Sequence, residues 1–307
     1  MSKTAFIVDS ACSLPAKLQQ KYNITLLPIH YSVDEQPFED PCNPDDAVEI
    51  FESGVFARKH EVNTLPPSPN DFEKVIIDAI KSGHTRIVVQ TLSRWESDIY
   101  ENAQVGVAQV KEQLDGRDID IHVWDSSSLI SGQAVMITET VARVLKNQDP
   151  VRISKHLEKL SGSLATYILP KDSAVLLDRT PKRNEANVGW AKALVAKTLN
   201  ICPIICHQTS STKMIAKVMR FNKAVDKLFQ HAQASVQAGL NTPILSVAYA
   251  GPLSELEAIG SYQELKQICK DNKVMLLPSV MSVPGAIYCS TGSIVMSFSC
   301  ADHSWRQ

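Results

Sequence analysis

The chain has no C-x-x-C pair, no H-x-x-x-H pair, no glycine-rich phosphate loop and no excess of charge of either sign. Each absence closes a class of function. The seven cysteines stand singly at 12, 42, 202, 206, 269, 289 and 300, and the eight histidines are equally dispersed. Neither a metal site nor a disulfide frame is therefore expected. Cys202 and Cys206 flank Pro203-Ile204-Ile205 and read as strand positions facing one side, so the thiols are read as buried and reduced. A net charge of -2 offers no bulk basic surface for nucleic acid. No run of ~18 apolar residues exists, so no membrane span is expected. The apolar run near the start, Ala5 to Val8, is too short for a secretory segment, which points to a cytoplasmic protein. G-x-G-x-x-G, G-x-x-x-x-G-K-[ST] and G-x-S-x-G are all missing, so nucleotide cradles and serine-hydrolase elbows lack their usual marks, and no cofactor is expected.

What is present is an ordinary globular composition, 44% hydrophobic and 21% charged, over 307 residues. That length suggests two domains of roughly 150 residues each. In the first half, apolar β-rich runs alternate with helical patterns. Thr4 to Val8, Ile24 to Val33, Arg86 to Thr91 and the segment ending at Asp125 read as strands. Asn43 precedes one helix, and Ser68-Pro69 with Asp71 resembles a capping box before a second helix that Gly83 ends. Helices are also expected from Ser97 to Leu114 and from Ile130 to Lys146. Such alternation predicts a parallel sheet covered on both faces. Past a break at Pro150, capped by Asp149, the pattern changes. Leu164 to Leu169 and Pro203 to Gln208 read as strands, with a helix over Val188 to Thr198 between them and a hairpin partner in Lys213 to Met219. Helices over Asn222–Gly239 and Leu253–Asp271, strands over Pro243–Ala248 and Val274–Leu277, and a final strand pair reaching Phe298 follow; the last residues read as a tail. The expectation is α/β in two domains: residues 1–150 on a parallel sheet, and residues 151–300 on a mixed or antiparallel sheet.

Three strands of the first half end in small polar groups: Asp9-Ser10, Ser93, and Asp125-Ser126. In open α/β sheets such ends face a ligand crevice. A serine or aspartate there can cap a helix, hold an anion together with helix N–H groups, or act in catalysis. From residues alone the three remain open, and the reading stops at a two-domain α/β protein with a ligand crevice.

The order of motifs goes further. "IVDSACSLPAKLQQKYNITLLPIHYSVDEQPFED", "TLPPSPNDF", "TLSRWESDIYENA", "VWDSSSLISGQ" and "LNICPII" together resemble the DegV family of bacterial fatty-acid-binding proteins, over nearly the whole chain. The resemblance implies two α/β domains with a long-chain fatty acid buried between them. It also implies a partner fatty acid kinase, which phosphorylates the presented carboxyl group, the family protein itself not being the catalyst. By matching position, the carboxylate contacts fall on Thr64 and Ser97, with Ser93 in the same turn. Hydroxyls suit a carboxylate because each donates a hydrogen bond without adding charge.

The chain departs from the family in three places. Asp98-Ile99 stands where the family has Gly-Thr; Asp98 is expected in the first helical turn, facing solvent. The family's Gly-Gly-Arg is lost: its arginine place reads Asn187, with Lys182 and Arg183 the nearest cations. Its His-x-Gly-Pro-Gly is lost too, with Tyr288 at the histidine place and Gly292 at the last glycine. Thr64, Ser97, Ser93, Tyr288, Arg183 and Asn187 are thus the candidate ligand-binding residues. The lost motifs keep a second reading alive, a diverged non-catalytic binder of another small acid or amphiphile. A third is an enzyme acting through Ser97 or Ser10 with Tyr288 or Asp9 nearby.

Overall fold

The computed structural model describes residues 3–180 and 201–305. In chain order the elements are β1 (Thr4–Asp9), α1 (Ala16–Tyr22), β2 (Ile24–Leu27), β3 (His30–Val33), β4 (Gln36–Glu39), α2 (Pro44–Glu52), β5 (Val62–Leu65), α3 (Pro69–Lys81), β6 (Arg86–Thr91), α4 (Ile99–Glu112), β7 (Asp120–Asp125) and α5 (Ser131–Val144). The second half continues with α6 (Pro150–Gly162), β8 (Leu164–Leu169), α7 (Ser173–Arg179), β9 (Ile201–Gln208), β10 (Ser211–Met219), α8 (Phe221–Ala238), β11 (Leu240–Tyr249), α9 (Leu253–Glu257), α10 (Gly260–Asp271), β12 (Met275–Val280), α11 (Val283–Cys289) and β13 (Ile294–Cys300).

The N-terminal sheet runs β2-β1-β6-β7 and is parallel throughout. Side chains of β1 show why it must be covered on both sides. Ala5 and Ile7 point into a core with Phe72 and Ile76 of α3 and Ala103 and Val107 of α4, while Phe6 and Val8 point the other way, onto α5. The C-terminal sheet is mixed, in the order β10-β9-β8-β13-β11-β12, with only β11 and β12 parallel. One face packs on α8 and α10 through Leu228, Phe229, Tyr262 and Leu265. The other meets α5, α7 and α11. The α/β class with a parallel first sheet and a mixed second one is as the sequence pattern implied.

Helix α5 lies between the two sheets, and every residue from Ser131 to Ile137 is buried. Its apolar side chains meet Phe6, Val8 and Val88 on one side and Leu164, Ile244 and Leu277 on the other. Its polar ones reach both sheets: Ser131 shares a 2.7 Å bond with Ser297 of the second, and Gln133 donates to Asp9 of the first at 3.1 Å. On the far side of the first sheet, α3 and α4 pack closely at Gly106. A Cβ there would lie 2.6 Å from the Pro69 carbonyl oxygen and 2.7 Å from the Phe72 Cβ. Backbone cannot yield as a flexible side-chain tip can, so Gly106→Ala is expected to cost about 2 kcal/mol of stability. A urea midpoint equal to that of the unaltered protein would contradict this packing.

The capping signals hold. Ser68 and Asp71 form the full capping box, with bonds of 2.7 and 3.3 Å, and Asn43 and Asp149 cap α2 and α6. Four expectations are corrected. Ile24 to Val33 is two strands: after Pro28, which lacks an N–H to donate, the chain leaves the parallel sheet and β3 joins a separate three-stranded sheet, β4-β3-β5. The long helix over Leu253–Asp271 is broken between α9 and α10. The first strand of the expected final pair is helix α11, begun by Ser282, whose Oγ accepts the Gly285 N–H at 3.2 Å, with Pro284 in the first turn. The last residues are docked: His303 bonds the Tyr167 hydroxyl at 2.8 Å and lies 2.8 Å from the Ser163 carbonyl oxygen, and the Trp305 ring sits 4.6 Å from that of His231. The helix expected over Val188–Thr198 lies outside the described residues, among which no helix is long and apolar enough to cross a membrane.

Candidate functional site

The polar strand ends of the first sheet hold one another. Asp9 accepts the backbone N–H of Leu92 at 2.6 Å and of Ala11 at 3.2 Å, and the Gln133 amide of α5 at 3.1 and 3.3 Å. Complete burial nevertheless pushes its carboxyl up to about 6. Ser93 gives its N–H to the Ser128 carbonyl oxygen at 3.1 Å, and Asp125 accepts from the N–H groups of Arg94 and Ser127 at 3.2 and 2.8 Å. The Ser93 hydroxyl is buried and accepts the Trp95 N–H at 3.4 Å. It braces the turn, and Ser93 is not on the wall of the cavity described next.

With the polar groups so engaged, the same loops turn apolar residues inward. Leu92, Leu129 and Ile130 meet Ala11 and Ile29 from the first half and Ile168, Leu176 and Ile205 from the second around a cavity of about 260 Å³. That is near the lower end of the range for small-molecule sites, ~300 Å³. Among the described residues its polar wall is sparse: Thr64, Ser97, Thr180, Thr212 and Tyr288, with Glu96 the one carboxylate. Thr64 on β5 and Tyr288 on α11 share a 2.6 Å hydrogen bond. Ser97 lies two residues before α4 rather than at its first residue, and among the described residues its hydroxyl has no hydrogen-bond partner. Asp98 is exposed, as expected, but stands just before α4 rather than in its first turn. Cys289 also lines the space, and burial raises its thiol to about 12, so it stays protonated and inert.

A second, polar cleft of about 470 Å³ shares only Thr64 and Tyr288 with the first. Arg58, His60, Glu61, Asn63, Asp178 and Arg179 line it. Its charges are largely spent. Arg58 pairs with Asp178 at 2.7 Å, and His60 Nδ1 lies 2.6 Å from Asp34. Arg179 donates to the carbonyl oxygens of Ile287 at 2.9 Å and of Phe56 and Ala57 at 3.0 and 3.3 Å. It therefore ties the end of α7 to both the loop before β5 and the helix that carries Tyr288.

Of the residues selected from sequence, Thr64, Ser97 and Tyr288 come together on one cavity, and Ser93 stands behind it. Arg183 and Asn187, with Lys182, lie outside the described residues. Glu96 and Arg179 were not foreseen. Glu96 adjoins Ser97 and could have been noted for that alone, but no sequence signal marks Arg179. The Ser10 hydroxyl is buried and accepts the Ile29 N–H at 2.9 Å, Asp9 is committed to backbone and Gln133, and no described base bonds Ser97.

The family described as "Uncharacterised protein, DegV family" matches residues 3–297. A DegV domain-containing protein of Xanthomonas axonopodis pv. citri is 28% identical, over 99% of each chain. Among solved structures, a stearic-acid-binding protein of Eubacterium ventriosum superposes with a TM-score of 0.77 at 20% identity, over 97% of this chain and 98% of its own. A DegV family protein of Thermus thermophilus, described as binding fatty acid, superposes with a TM-score of 0.74 at 16% identity, over 97% and 100%. These likenesses show a shared fold.

Proposed function

The chain belongs to the DegV family, and on that premise we propose that it binds a long-chain fatty acid in the cavity between its halves, with the carboxylate held by the hydroxyls of Thr64, Ser97 and Tyr288. It presents that carboxyl group to a partner fatty acid kinase, in the cytoplasm, and does not itself transform it. The observation that carries this reading is the cavity: apolar on most of its wall, lined by both halves of the chain, with Thr64, Ser97 and Tyr288 among the hydroxyls at it. Each buried CH₂ is worth ~0.8 kcal/mol, so a long acyl chain needs few polar contacts to be retained. The stearic-acid-binding and fatty-acid-binding neighbours support the choice of ligand.

Protein purified from a bacterial host, denatured and extracted, is expected to yield a stoichiometric long-chain acid by mass spectrometry. An extract free of acyl chains, with no binding on adding one, would refute the proposal. Ser97→Ala removes a donor that no described residue uses. It is expected to weaken fatty-acid binding about tenfold, the worth of one hydrogen bond to a charged group, and to leave the melting temperature unchanged.

A further inference from the structure

Among its described residues, the wall of the apolar cavity carries a carboxylate and no cation. Among the described lining residues there is no lysine, arginine or histidine, and Glu96 is the one acid. Its Oε1 is buried without a hydrogen-bond partner. The nearest group that could balance it is His207 on β9, whose Nδ1 lies 3.8 Å away. That nitrogen already shares a 2.9 Å hydrogen bond with the Thr212 hydroxyl, and the ring is buried. Burial lowers the imidazole to about 4, so it stays neutral, and burial raises the Glu96 carboxyl. The other titratable groups on the wall, Tyr288 and Cys289 of α11, bring no positive charge. On Glu96's own turn, Arg94 is exposed and pairs with Glu101 at 3.3 Å, and Asp98 is exposed. Arg58, His60 and Arg179 face the neighbouring cleft, with partners of their own.

Two carboxylates brought into contact on one apolar wall cannot both stay ionised; such a pair holds one proton between them. We infer that loading of this cavity is proton-linked through Glu96: a carboxylic acid enters only with one proton shared between its head group and Glu96, whereas an uncharged long-chain amphiphile enters without one. The proton comes from solvent, and on binding it forms an O–H···O⁻ bond between the two carboxyl groups. This rests on the reading of the cavity as a fatty-ligand site and adds to it a head-group selectivity that hydroxyls alone would not give. Acid is retained at low pH and released as pH rises, while an alcohol or a primary amide of the same chain is indifferent to pH.

The test uses the full, delipidated chain with dodecanoate and 1-dodecanol as probes, titrated calorimetrically between about pH 6 and 8 in two buffers of different ionisation heat. Expected for the unaltered protein are proton uptake on binding dodecanoate, an affinity that falls several-fold as pH rises from about 6 to 8, and a pH-independent affinity for dodecanol. Glu96→Gln, close in shape, is expected to remove both the proton uptake and the slope for dodecanoate. A pH-independent dodecanoate affinity in the unaltered protein, or the same slope in Glu96→Gln, would overturn the inference while leaving the fatty-ligand reading in place. Failure of both probes to bind at any pH would overturn both. The buffer comparison needs no variant, so a Glu96→Gln protein that did not fold would leave a decisive measurement.

Discussion

Asp9→Ala is expected to remove about 3–5 kcal/mol of stability, the largest single loss that a polar substitution in this chain should produce. The side chain is fully buried at the end of β1 and serves three elements at once. It accepts from the turn after β6 through Leu92, from its own turn through Ala11, and from α5 through both bonds of Gln133. Alanine leaves these donors buried and unsatisfied, at ~1–3 kcal/mol for each that water cannot reach. The Gln133 Oε1 already lacks a partner, so the amide has no better orientation to adopt. Asparagine should be milder, since it keeps one acceptor oxygen, and it exposes a pH signature. In the folded protein the Asp9 carboxyl is raised from 3.8 to about 6, so the folded state binds more protons than the unfolded one between those values. The contribution of this group to stability is therefore fully present below 3.8 and lost as pH rises through about 6, a swing of roughly 3 kcal/mol. Subtracting the Asp9→Asn urea-unfolding curve from that of the unaltered protein, pH by pH, should isolate that fall. A difference that stays flat, or an alanine variant within about 1 kcal/mol of the unaltered protein, would show that Asp9 is not the brace its contacts describe.

The same bracing explains what was legible in the sequence. Strands and capped helices announce themselves locally: the apolar run of β1, the Ser68–Asp71 box and the Asp149 cap all read correctly because each is decided within a few residues. Pro28 is a local signal, yet the sequence predicts one continuous strand through it, because an apolar run on both sides outweighs one missing donor until the partner strands are known. Val283 to Cys289 looks β-rich by composition and is a helix because Ser282 and Pro284 start one and α7 packs on it. The site divides in the same way. Family resemblance located Thr64 and Tyr288, but nothing local could show that residues 224 positions apart bond to each other. A strand-end serine such as Ser93 can face a ligand, but its hydroxyl faces its own turn instead. Nothing local marks Glu96, because its interest comes from the absence of a cation among the described residues of the wall, which is a property of the folded cavity.

On the proposed function, affinity for saturated carboxylic acids should climb about fourfold with each added methylene, since ~0.8 kcal/mol of burial is realised per group. Four methylenes, from eight to twelve carbons, amount to ~3 kcal/mol, about two hundredfold. No polar contact in the cavity can match that range, because the head-group donors are the same for every member of the series. The climb must stop when the chain outgrows the space. Ile168, Leu176 and Ile205 on the wall are buried, and Ile168 and Ile205 belong to strands fixed by pairing on the C-terminal sheet, so the wall cannot retreat cheaply. The carbon number at which affinity levels off therefore measures the cavity of the liganded protein directly. A wall substitution should move it: Leu129→Trp fills space at the apolar wall and leaves Thr64, Ser97 and Tyr288 unaltered. It is expected to shift the optimum to shorter chains while leaving affinity for the shortest acids unchanged. Calorimetry across the series reads both effects. An affinity flat in chain length would place the acyl group outside the cavity, and an optimum unmoved by Leu129→Trp would place it along a different wall.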